Sequence, residues 1–492
     1  MTVTAKDSAP ASSNSAAALN IELARKASRR GRELMLLIYA AALAALGLLI
    51  IQRGFLGEWS LSWLWLAGLL AGAFGLGHVV VRALAKYADP VLLPMPAFLL
   101  AIGLVVIRRV DLGERAEVEA QGGTVTSTGL APQQFIWIFG GLVLMALTLW
   151  ALKDHRTLVR YTYVTGLAGL FLLLLPGLLP ASISEVNGAK IWIKIGPFSI
   201  QPMEFAKPLM VTFFAGYLTL KREVLSRAGS IKILGIRFPR MRDAFPLFLA
   251  WILTMLILVL EGELGTTMLF YGAFIGMLYV ATNRAAWAVL GIGAFVAGYA
   301  AMYFLSDKVA NRVDCWLNPM GDASGSCFQL VQAQYGIAAG GLFGTGLGAG
   351  NPELVPEART DFIFAAICEL LGLFGAAAVL MVIMYFVTRG SKTALLVRDD
   401  FGRLLAVGLA FTVALQYLII LGGVTRVLPL TGITAPFLSY GGSSTLANFI
   451  IVGLLIRISN TARRPPTLAD TGPPVPAQAP VGTDAPTGVI KL

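Results

Sequence analysis

The sequence is poor in charged residues. Only 13% of its 492 residues are Asp, Glu, Lys or Arg, whereas a soluble protein of ordinary composition carries about 25%. The hydrophobic fraction is high, at 57%. This composition excludes an ordinary soluble domain and indicates a polytopic membrane protein.

Histidine and cysteine are also scarce. Two His and three Cys residues leave no obvious ligand set for zinc or haem. The first 33 residues are polar, so the apolar region of a cleavable signal peptide is not expected there. The net charge of +11 does not indicate nucleic-acid binding, because the Lys and Arg residues lie in short loops between apolar runs.

The apolar runs predict an all-α membrane protein with about twelve transmembrane helices, since each span needs about 20 apolar residues. The expected bounds are 34–52, 61–83, 90–107, 134–152, 159–179, 203–220, 244–260, 264–282, 285–305, 361–388, 402–423 and 434–457. The polar residues 1–33 are expected to be a disordered N-terminus. Residues 461–492, rich in Pro and Ala, are expected to be a disordered tail.

The distribution of Lys and Arg predicts the orientation, because cytoplasmic loops of membrane proteins are enriched in these cations. The loops placed on the cytoplasmic side contain Arg82, Lys86, Lys153, Arg156, Arg160, Arg284, Arg389 and Lys392, among others. The loops placed outside are poorer in cations or balance them with acids, as in the stretch 111–119. Both termini are therefore expected in the cytoplasm.

The outer segment 306–360 is too long and too rich in Gly to be a plain linker. An apolar stretch followed by a Gly-rich run predicts a re-entrant or interfacial helix and then a tight loop, although a disordered outer loop remains the alternative. Cys315 and Cys327 bracket a turn-rich stretch in this segment. Disulfides persist on the outer face, so we expect a disulfide between them; the alternative is two free thiols.

Charged residues at the ends of the spans carry the chemical signal. Placing a charged side chain in the bilayer core costs roughly 2.5–3.5 kcal/mol, so charged residues that are retained there usually have a function. The residues concerned are Glu204, Lys207, Glu261, Glu263, Asp361 and Glu369. All except Glu369, about two turns inside a span, are expected near the outer surface. Structural ion pairs or solvated loop ends would explain any one of them, but their convergence favours a site for a polar substrate held at the membrane.

Five sequence blocks carry a family resemblance. They are NGAKIWIKIGPFSIQPMEFAK, EGELGTTML, GGLFGTGLGAG, PEARTDFIFAAICELLG and PLTGITAPFLSYGGSS, in this order. Together they resemble the SEDS family (shape, elongation, division and sporulation proteins) over roughly residues 180–460. The SYGGSS block is more similar to the elongation branch than to the division branch. Residues 131–460 are accordingly expected to form the family core, and 34–130 to hold spans partly outside it.

The resemblance implies a peptidoglycan glycosyltransferase of the bacterial plasma membrane. Such an enzyme polymerises lipid II into glycan strands for cell elongation and shape, and releases undecaprenyl pyrophosphate. The partners it implies are lipid II, the nascent strand, the lipid bilayer and a class B penicillin-binding protein. A divalent cation, Mg²⁺ or Mn²⁺, is a candidate cofactor because it would neutralise the departing pyrophosphate. No organic cofactor is expected.

The resemblance places the catalytic carboxylate at Glu263, where the family usually has Asp. The extra methylene moves the carboxylate by about 1.5 Å, and misplacement of that order costs roughly a hundredfold in rate. Arg359 stands where many relatives have His, and Leu370 where many have an acid. The residues expected to bind substrate are Lys190, Lys194, Glu204, Lys207, Arg312, Gln332, Arg359, Thr360, Asp361, Ser439, Ser443 and Ser444.

Two other functions fit the sequence. A flippase for the lipid-linked precursor also needs many spans and buried charges, and internal inverted repeats would favour it. The sequence shows no evident repeat of this kind. A non-catalytic scaffold that activates a penicillin-binding protein is the second alternative, since Glu263 departs from the usual residue of the family.

Overall fold

The computed structural model describes residues 29–464 except 62, 125–128, 186–189, 197, 227–230, 234–235, 239–240 and 261. Residues 1–28, the tail from 465 onward and Glu261 lie outside the described residues, so the expectations for both tails and for Glu261 stay predictions. The first helix begins at Arg29, five residues before the expected start of the first span.

Long α-helices make up most of the described chain. Their bounds are α1 Arg29–Leu56, α2 Leu64–Leu84, α3 Pro94–Ala120, α4 Leu130–Ala151, α5 Thr162–Leu178, α6 Ala181–Ser184, α7 Pro202–Ser226, α8 Met241–Leu260, α9 Leu264–Thr282, α10 Ala285–Leu305, α11 Asp307–Leu317, α12 Phe328–Gly340, α13 Ile363–Leu396, α14 Asp400–Val424 and α15 Gly442–Arg463. Short 3₁₀ helices lie at His155–Tyr161, Pro319–Asp322 and Pro352–Leu354.

Two small antiparallel hairpins interrupt the helical architecture. The first pairs β1 (Ile193–Ile195) with β2 (Phe198–Ile200), and the second pairs β3 (Ile231–Ile233) with β4 (Ile236–Phe238). The first lies in the segment just before α7. The prediction of an all-α fold is confirmed apart from these short ribbons.

Nine helices within the described residues are long and apolar enough to cross a membrane. The other three predicted spans coincide with α3, α7 and α8, which are also long helices. Helices α3 and α7 carry several charged residues, and the apolar part of α8 covers only Phe245–Ile257. The polytopic membrane architecture is therefore confirmed.

Helix α3 corrects the prediction of a span at 90–107 followed by an outer loop through 119. The helix starts at Pro94 and runs on to Ala120. Pro94 and Pro96 lie in the first turn, where proline removes no intrahelical hydrogen bond. Charged residues continue the helix because they are matched from other elements: Arg109 and Asp111 are buried and form ion pairs with the segment that precedes α13.

A break at Gly372 corrects the prediction of one continuous span from 361 to 388. Gly372 has φ 67° inside α13, a conformation that glycine adopts at little cost. The glycine loop after α12 packs against this break, where the N–H of Leu373 donates to the carbonyl oxygen of Gly341 at 3.0 Å. Glu369 therefore contacts the segment 306–360, as its hydrogen bond from the Asn351 N–H at 2.6 Å shows, and does not stand apart deep in a span.

The segment 306–360 is structured. It contains α11 and α12, so the prediction of helices followed by a glycine loop is confirmed. Cys315 and Cys327 are joined by a disulfide with their Cα atoms 5.2 Å apart. Between them, Asp322 accepts hydrogen bonds from the N–H and the hydroxyl of Ser326, which stabilises the turn. The remaining cysteine, Cys368, is buried in apolar packing.

Candidate active site

The candidate site forms where several chain segments meet at one end of the helical bundle. The first turns of α7 and α9, helix α11 and the residues just before α13 all approach the extended segment 426–441. Glycines permit this close approach. A Cβ atom at Gly265 would lie 2.7 Å from Cβ of Thr431, so α9 begins directly against the extended segment.

Glu263 precedes the first residue of α9 and is 8% exposed. Its side chain accepts no capping hydrogen bond from the helix, so the carboxylate is available for other partners. Lys308 and Arg312 on α11 and the carboxylate of Asp361 are its charged neighbours. Burial raises the pKa of Glu263 to about 7, although the charges of Lys308 and Arg312 act in the opposite direction.

Asp361 and Arg312 flank Gly432 in the extended segment. A Cβ atom at Gly432 would lie 3.5 Å from Oδ2 of Asp361 and 3.6 Å from Nη2 of Arg312, and Gly432 has φ 69°. Arg312 also donates to the carbonyl oxygen of Thr431 at 3.3 Å. Burial, assisted by the charge of Glu357, raises the pKa of Asp361 to about 6. Two carboxylates and two cations are therefore gathered at this point.

Glu204 and Lys207 form a buried ion pair at 2.5 Å, one turn apart in α7. Lys207 also donates to Oε1 of Gln416 at 2.9 Å, and Gln416 in turn donates to the carbonyl oxygen of Thr434 at 2.9 Å. This chain of contacts ties α7 and α14 to the extended segment. In this structure Lys207 is thus engaged with protein partners beside the site.

The serines of the SYGGSS block fix the backbone. The Ser439 hydroxyl donates to the carbonyl oxygen of Thr360 at 2.5 Å and accepts from the N–H of Ala435. The Ser443 hydroxyl accepts from the N–H of Gln201 at 2.8 Å, just before α7. These contacts hold the residue before Asp361 and the start of α7 against the extended segment.

Other residues expected to bind substrate have different surroundings. Lys190 donates to the carbonyl oxygen of Gly177 at 3.0 Å, and Lys194 is exposed on β1. The Thr360 hydroxyl donates to Glu357, while Ser444 accepts from the side chain of Asn448. Gln332 is partly buried on α12. Among the described residues, no hydrogen bond or ion pair joins these five side chains to Glu263, Asp361, Lys308 or Arg312, so their role in binding substrate stays a prediction.

Arg359 is held by two carboxylates of α3. Its guanidinium lies 3.1 Å from Asp111 and 2.7 Å from Glu114. A second link joins Arg109 to Glu353 at 3.1 Å. Sequence reasoning missed these residues of α3 because it assigned 111–119 to an outer loop. Lys308 was also missed; its place one helical turn before Arg312 was the available signal.

No group of three or more His, Cys, Asp or Glu side chains suited to a metal occurs among the residues that the structure describes. Magnesium, however, is often held by one or two carboxylates together with substrate phosphates. Glu263 and Asp361 fit that smaller donor set, so the divalent cation stays a prediction.

The sequence profile of the family described as "Cell cycle protein", which groups FtsW, RodA and SpoVE, matches residues 90–464. This chain belongs to the SEDS family. The match begins well before residue 180, where the sequence blocks that suggested the family start. It includes α3, the helix that supplies Asp111 and Glu114.

Two curated SEDS relatives resemble most of the chain. The peptidoglycan glycosyltransferase RodA of Mycobacterium tuberculosis is 46% identical over 442 residues, covering 89% of this chain and 92% of that protein. The stage V sporulation protein E of Bacillus subtilis is 34% identical over 380 residues, covering 76% and 98% respectively.

Solved structures agree with this assignment. A chain of a peptidoglycan synthase complex that coordinates polymerization and crosslinking is 25% identical, with a TM-score of 0.59, and covers 76% of this chain and 98% of its own length. The crystal structure of RodA from Thermus thermophilus is 24% identical with a TM-score of 0.53, covering 77% and 98%, and supports the fold alone. The predictions of the SEDS family, of its membrane fold and of a peptidoglycan glycosyltransferase are confirmed.

Proposed function

We propose that this SEDS protein polymerises lipid II and that Glu263 is its general base. The single observation that carries the assignment is the buried carboxylate of Glu263, gathered with Asp361, Lys308 and Arg312 at the start of α9. A base works best when its pKa lies close to the operating pH. The pKa of about 7 for Glu263 meets that requirement.

The reaction transfers the growing strand to the next sugar. A hydroxyl oxygen of the incoming lipid II attacks the anomeric carbon at the lipid-linked end of the strand, and a new glycosidic C–O bond forms. The bond from that carbon to the pyrophosphate oxygen breaks, and its electron pair leaves with undecaprenyl pyrophosphate. The proton of the attacking hydroxyl passes to Glu263, which later returns it to water.

Cations beside the base suit the leaving group. The charges of Lys308 and Arg312 both lower the pKa of Glu263, and pyrophosphate oxygens are strong acceptors of charge-assisted hydrogen bonds. Both cations would stabilise the negative charge that develops as the pyrophosphate departs. Lys207 is neutralised by Glu204, so it is better placed to orient the site than to bind phosphate.

A divalent cation bound with the substrate would supply further charge neutralisation. Asp361 and Glu263 are the carboxylates available to hold it together with the pyrophosphate. Asp361 is the better candidate ligand, because Glu263 must stay free to accept a proton.

The same proposal includes an orientation and a partner. The cation-rich loops support cytoplasmic N- and C-termini, which puts the Glu263 cluster on the outer side, where a membrane-anchored sugar is available.

A class B penicillin-binding protein is the proposed partner, because polymerised glycan needs a transpeptidase for crosslinking. Recovery of such a transpeptidase after crosslinking in membranes tests the pairing, and its absence would count against it.

Polymerisation by the purified protein separates the proposal from its alternatives. The full chain in liposomes should convert lipid II into glycan chains without a partner enzyme, and Glu263→Ala should not. A flippase would move lipid II across the liposome membrane with no polymer in either sample. A scaffold would yield polymer only when an active penicillin-binding glycosyltransferase is added, and the yield would be the same with Glu263→Ala.

A further inference from the structure

A cavity of about 570 Å³ opens at the end of the molecule opposite the candidate active site by the predicted topology. Its walls come from the end of α2, the loop that follows it, the turn after α4 and the end of α15. The charged residues that line it are Lys86, Lys153, Asp154, Arg457 and Arg464. Asp154 is the one acid among the described lining residues, so positive charge is in clear excess.

One of the cations that line this cavity, Arg457, is buried. It is 5% exposed and donates to the carbonyl oxygens of Leu84, at 3.0 Å, and Leu149. Its Nε has no hydrogen-bond partner, and no described carboxylate lies within ion-pair distance of its guanidinium. The charge of Asp154, another residue of the cavity wall, acts on Arg457 without forming a direct ion pair, and a buried cation without a contacting counter-ion is costly.

The neighbouring arginines differ in this respect. Arg389 and Arg463 both form ion pairs with the buried carboxylate of Asp89. Asp154 is engaged locally, since it accepts from the N–H of Arg156 at 2.9 Å and lies 3.5 Å from His155. Two arginines at this end of the bundle therefore contact an internal carboxylate directly, whereas Arg457 faces a cavity in which Asp154 is the one described acid.

An apolar surface leads away from the cavity. On α2, Leu76 and Val79 are 51% and 59% exposed, and they precede Ala83 at the cavity wall on one helical face. On α4, Leu147 and Trp150 are 50% and 69% exposed, and Lys153 follows in the turn after the end of this helix. Helices α2 and α4 pack together. Trp is common at the level of lipid headgroups, so the cavity lies at the membrane surface beside a lipid-facing seam.

We propose that this cavity binds the phosphate headgroup of an anionic phospholipid whose acyl chains lie along the exposed seam of α2 and α4. Lys86, Lys153 and Arg464 reach the phosphate from the solvent side, while the Arg457 guanidinium forms the floor. Basic pockets between transmembrane helices on the cytoplasmic side bind anionic headgroups in other membrane proteins. The proposal does not depend on the polymerase activity.

Native mass spectrometry of the full chain in detergent tests the proposal. The protein is titrated with phosphatidylglycerol, with phosphatidylcholine of the same acyl chains, and with glycerol phosphate. The test variant is Lys86→Gln with Lys153→Gln, and the matched control is Arg160→Gln with Arg403→Gln. All four side chains are exposed, and the control pair lies at the same end of the molecule without lining the cavity.

Phosphatidylglycerol should bind the native protein and the control variant equally. The test variant should bind it about 25-fold more weakly, since each cation near an anionic lipid surface contributes roughly fivefold. Binding of phosphatidylcholine should not differ between the variants. Equal weakening in the control variant, or no weakening in the test variant, would overturn the site. Glycerol phosphate binding as tightly as the lipid would show a soluble anion as the ligand and would overturn the lipid assignment.

Discussion

The guanidinium of Arg359 lies 3.1 Å from Oδ1 of Asp111, a buried carboxylate 248 residues earlier in the chain. Asp111 also accepts from the N–H of Ala131 at the start of α4. Arg359 itself accepts, through its carbonyl oxygen, a 2.8 Å hydrogen bond from the N–H of Tyr440. The Asp111–Arg359 ion pair thus links α3 and α4 to the extended segment. Arg359 lies only two residues before Asp361, so this link also positions the candidate site.

Removing the charge of Asp111 should destabilise the protein. Asp111→Asn keeps the size of the side chain but leaves Arg359 with a weaker buried partner, and hydrogen bonds to charged groups contribute about 1.5–3 kcal/mol. Glu114→Gln is the matched control on the same guanidinium. Its side chain is 41% exposed, and such surface pairs contribute about 0–1 kcal/mol.

Thermal unfolding in detergent compares the two variants. The midpoint should fall clearly for Asp111→Asn and only slightly for Glu114→Gln. A larger loss for Glu114→Gln would contradict the importance given to the buried pair.

The sequence identifies Glu263 and Asp361 because each lies in a short contiguous block at the end of an apolar run. It does not identify Asp111, because the partner of that carboxylate is distant in sequence and the apolar pattern of α3 stops at about residue 107. Charges after an apolar run are more often loop residues. Only the tertiary contacts of Arg109 and Arg359 explain why this helix continues.

The sequence also did not predict that Glu369 contacts the glycine loop. Its apolar neighbours predict a continuous helix, and a glycine within such a run is usually tolerated. The break at Gly372 depends on the glycine loop that packs against it, where the N–H of Thr345 donates to the carbonyl oxygen of Glu369 at 2.9 Å. Periodicity within one helix carries no information about that loop.

The acid limb of the pH–rate profile should respond to Lys308. Glu263 must be deprotonated to accept a proton, so kcat/KM should fall about tenfold per pH unit below its pKa of about 7. The charge of Lys308 lowers that pKa. Lys308→Gln should therefore raise the pKa and move the acid limb to higher pH.

Lys308→Arg serves as the control, because it keeps the positive charge and should leave the acid limb where it is. Profiles of both variants are measured from pH 5 to 9 with lipid II as substrate. If the acid limb of Lys308→Gln stays in place or moves to lower pH, the acid limb does not report the titration of Glu263.

The disulfide between Cys315 and Cys327 should be present in intact membranes. Non-reducing digestion followed by mass spectrometry should yield one linked peptide pair. Replacing both cysteines with Ser should lower the free energy of unfolding by about 2–4 kcal/mol, because a crosslink restricts the unfolded chain. Detection of two free thiols in the native protein would contradict the pairing.

Labelling of introduced cysteines tests the orientation. Met320 is 56% exposed in the segment 306–360, and Leu395 is 80% exposed near the opposite end. An impermeant thiol reagent added to intact cells should label Met320→Cys and not Leu395→Cys. The reverse pattern would invert the topology and place the Glu263 cluster in the cytoplasm.

The rate of lipid II polymerisation by Glu263→Gln tests the central claim most directly. This variant keeps the size and hydrogen-bonding capacity of the side chain but removes the base, so we expect a loss of about 10²–10⁴ in rate with unchanged folding. Glu263→Asp restores the residue usual in the family and should retain or exceed the native rate. If Glu263→Gln polymerises at the native rate while Asp361→Asn or Glu204→Gln abolishes the reaction, the base lies on another segment and the account is wrong.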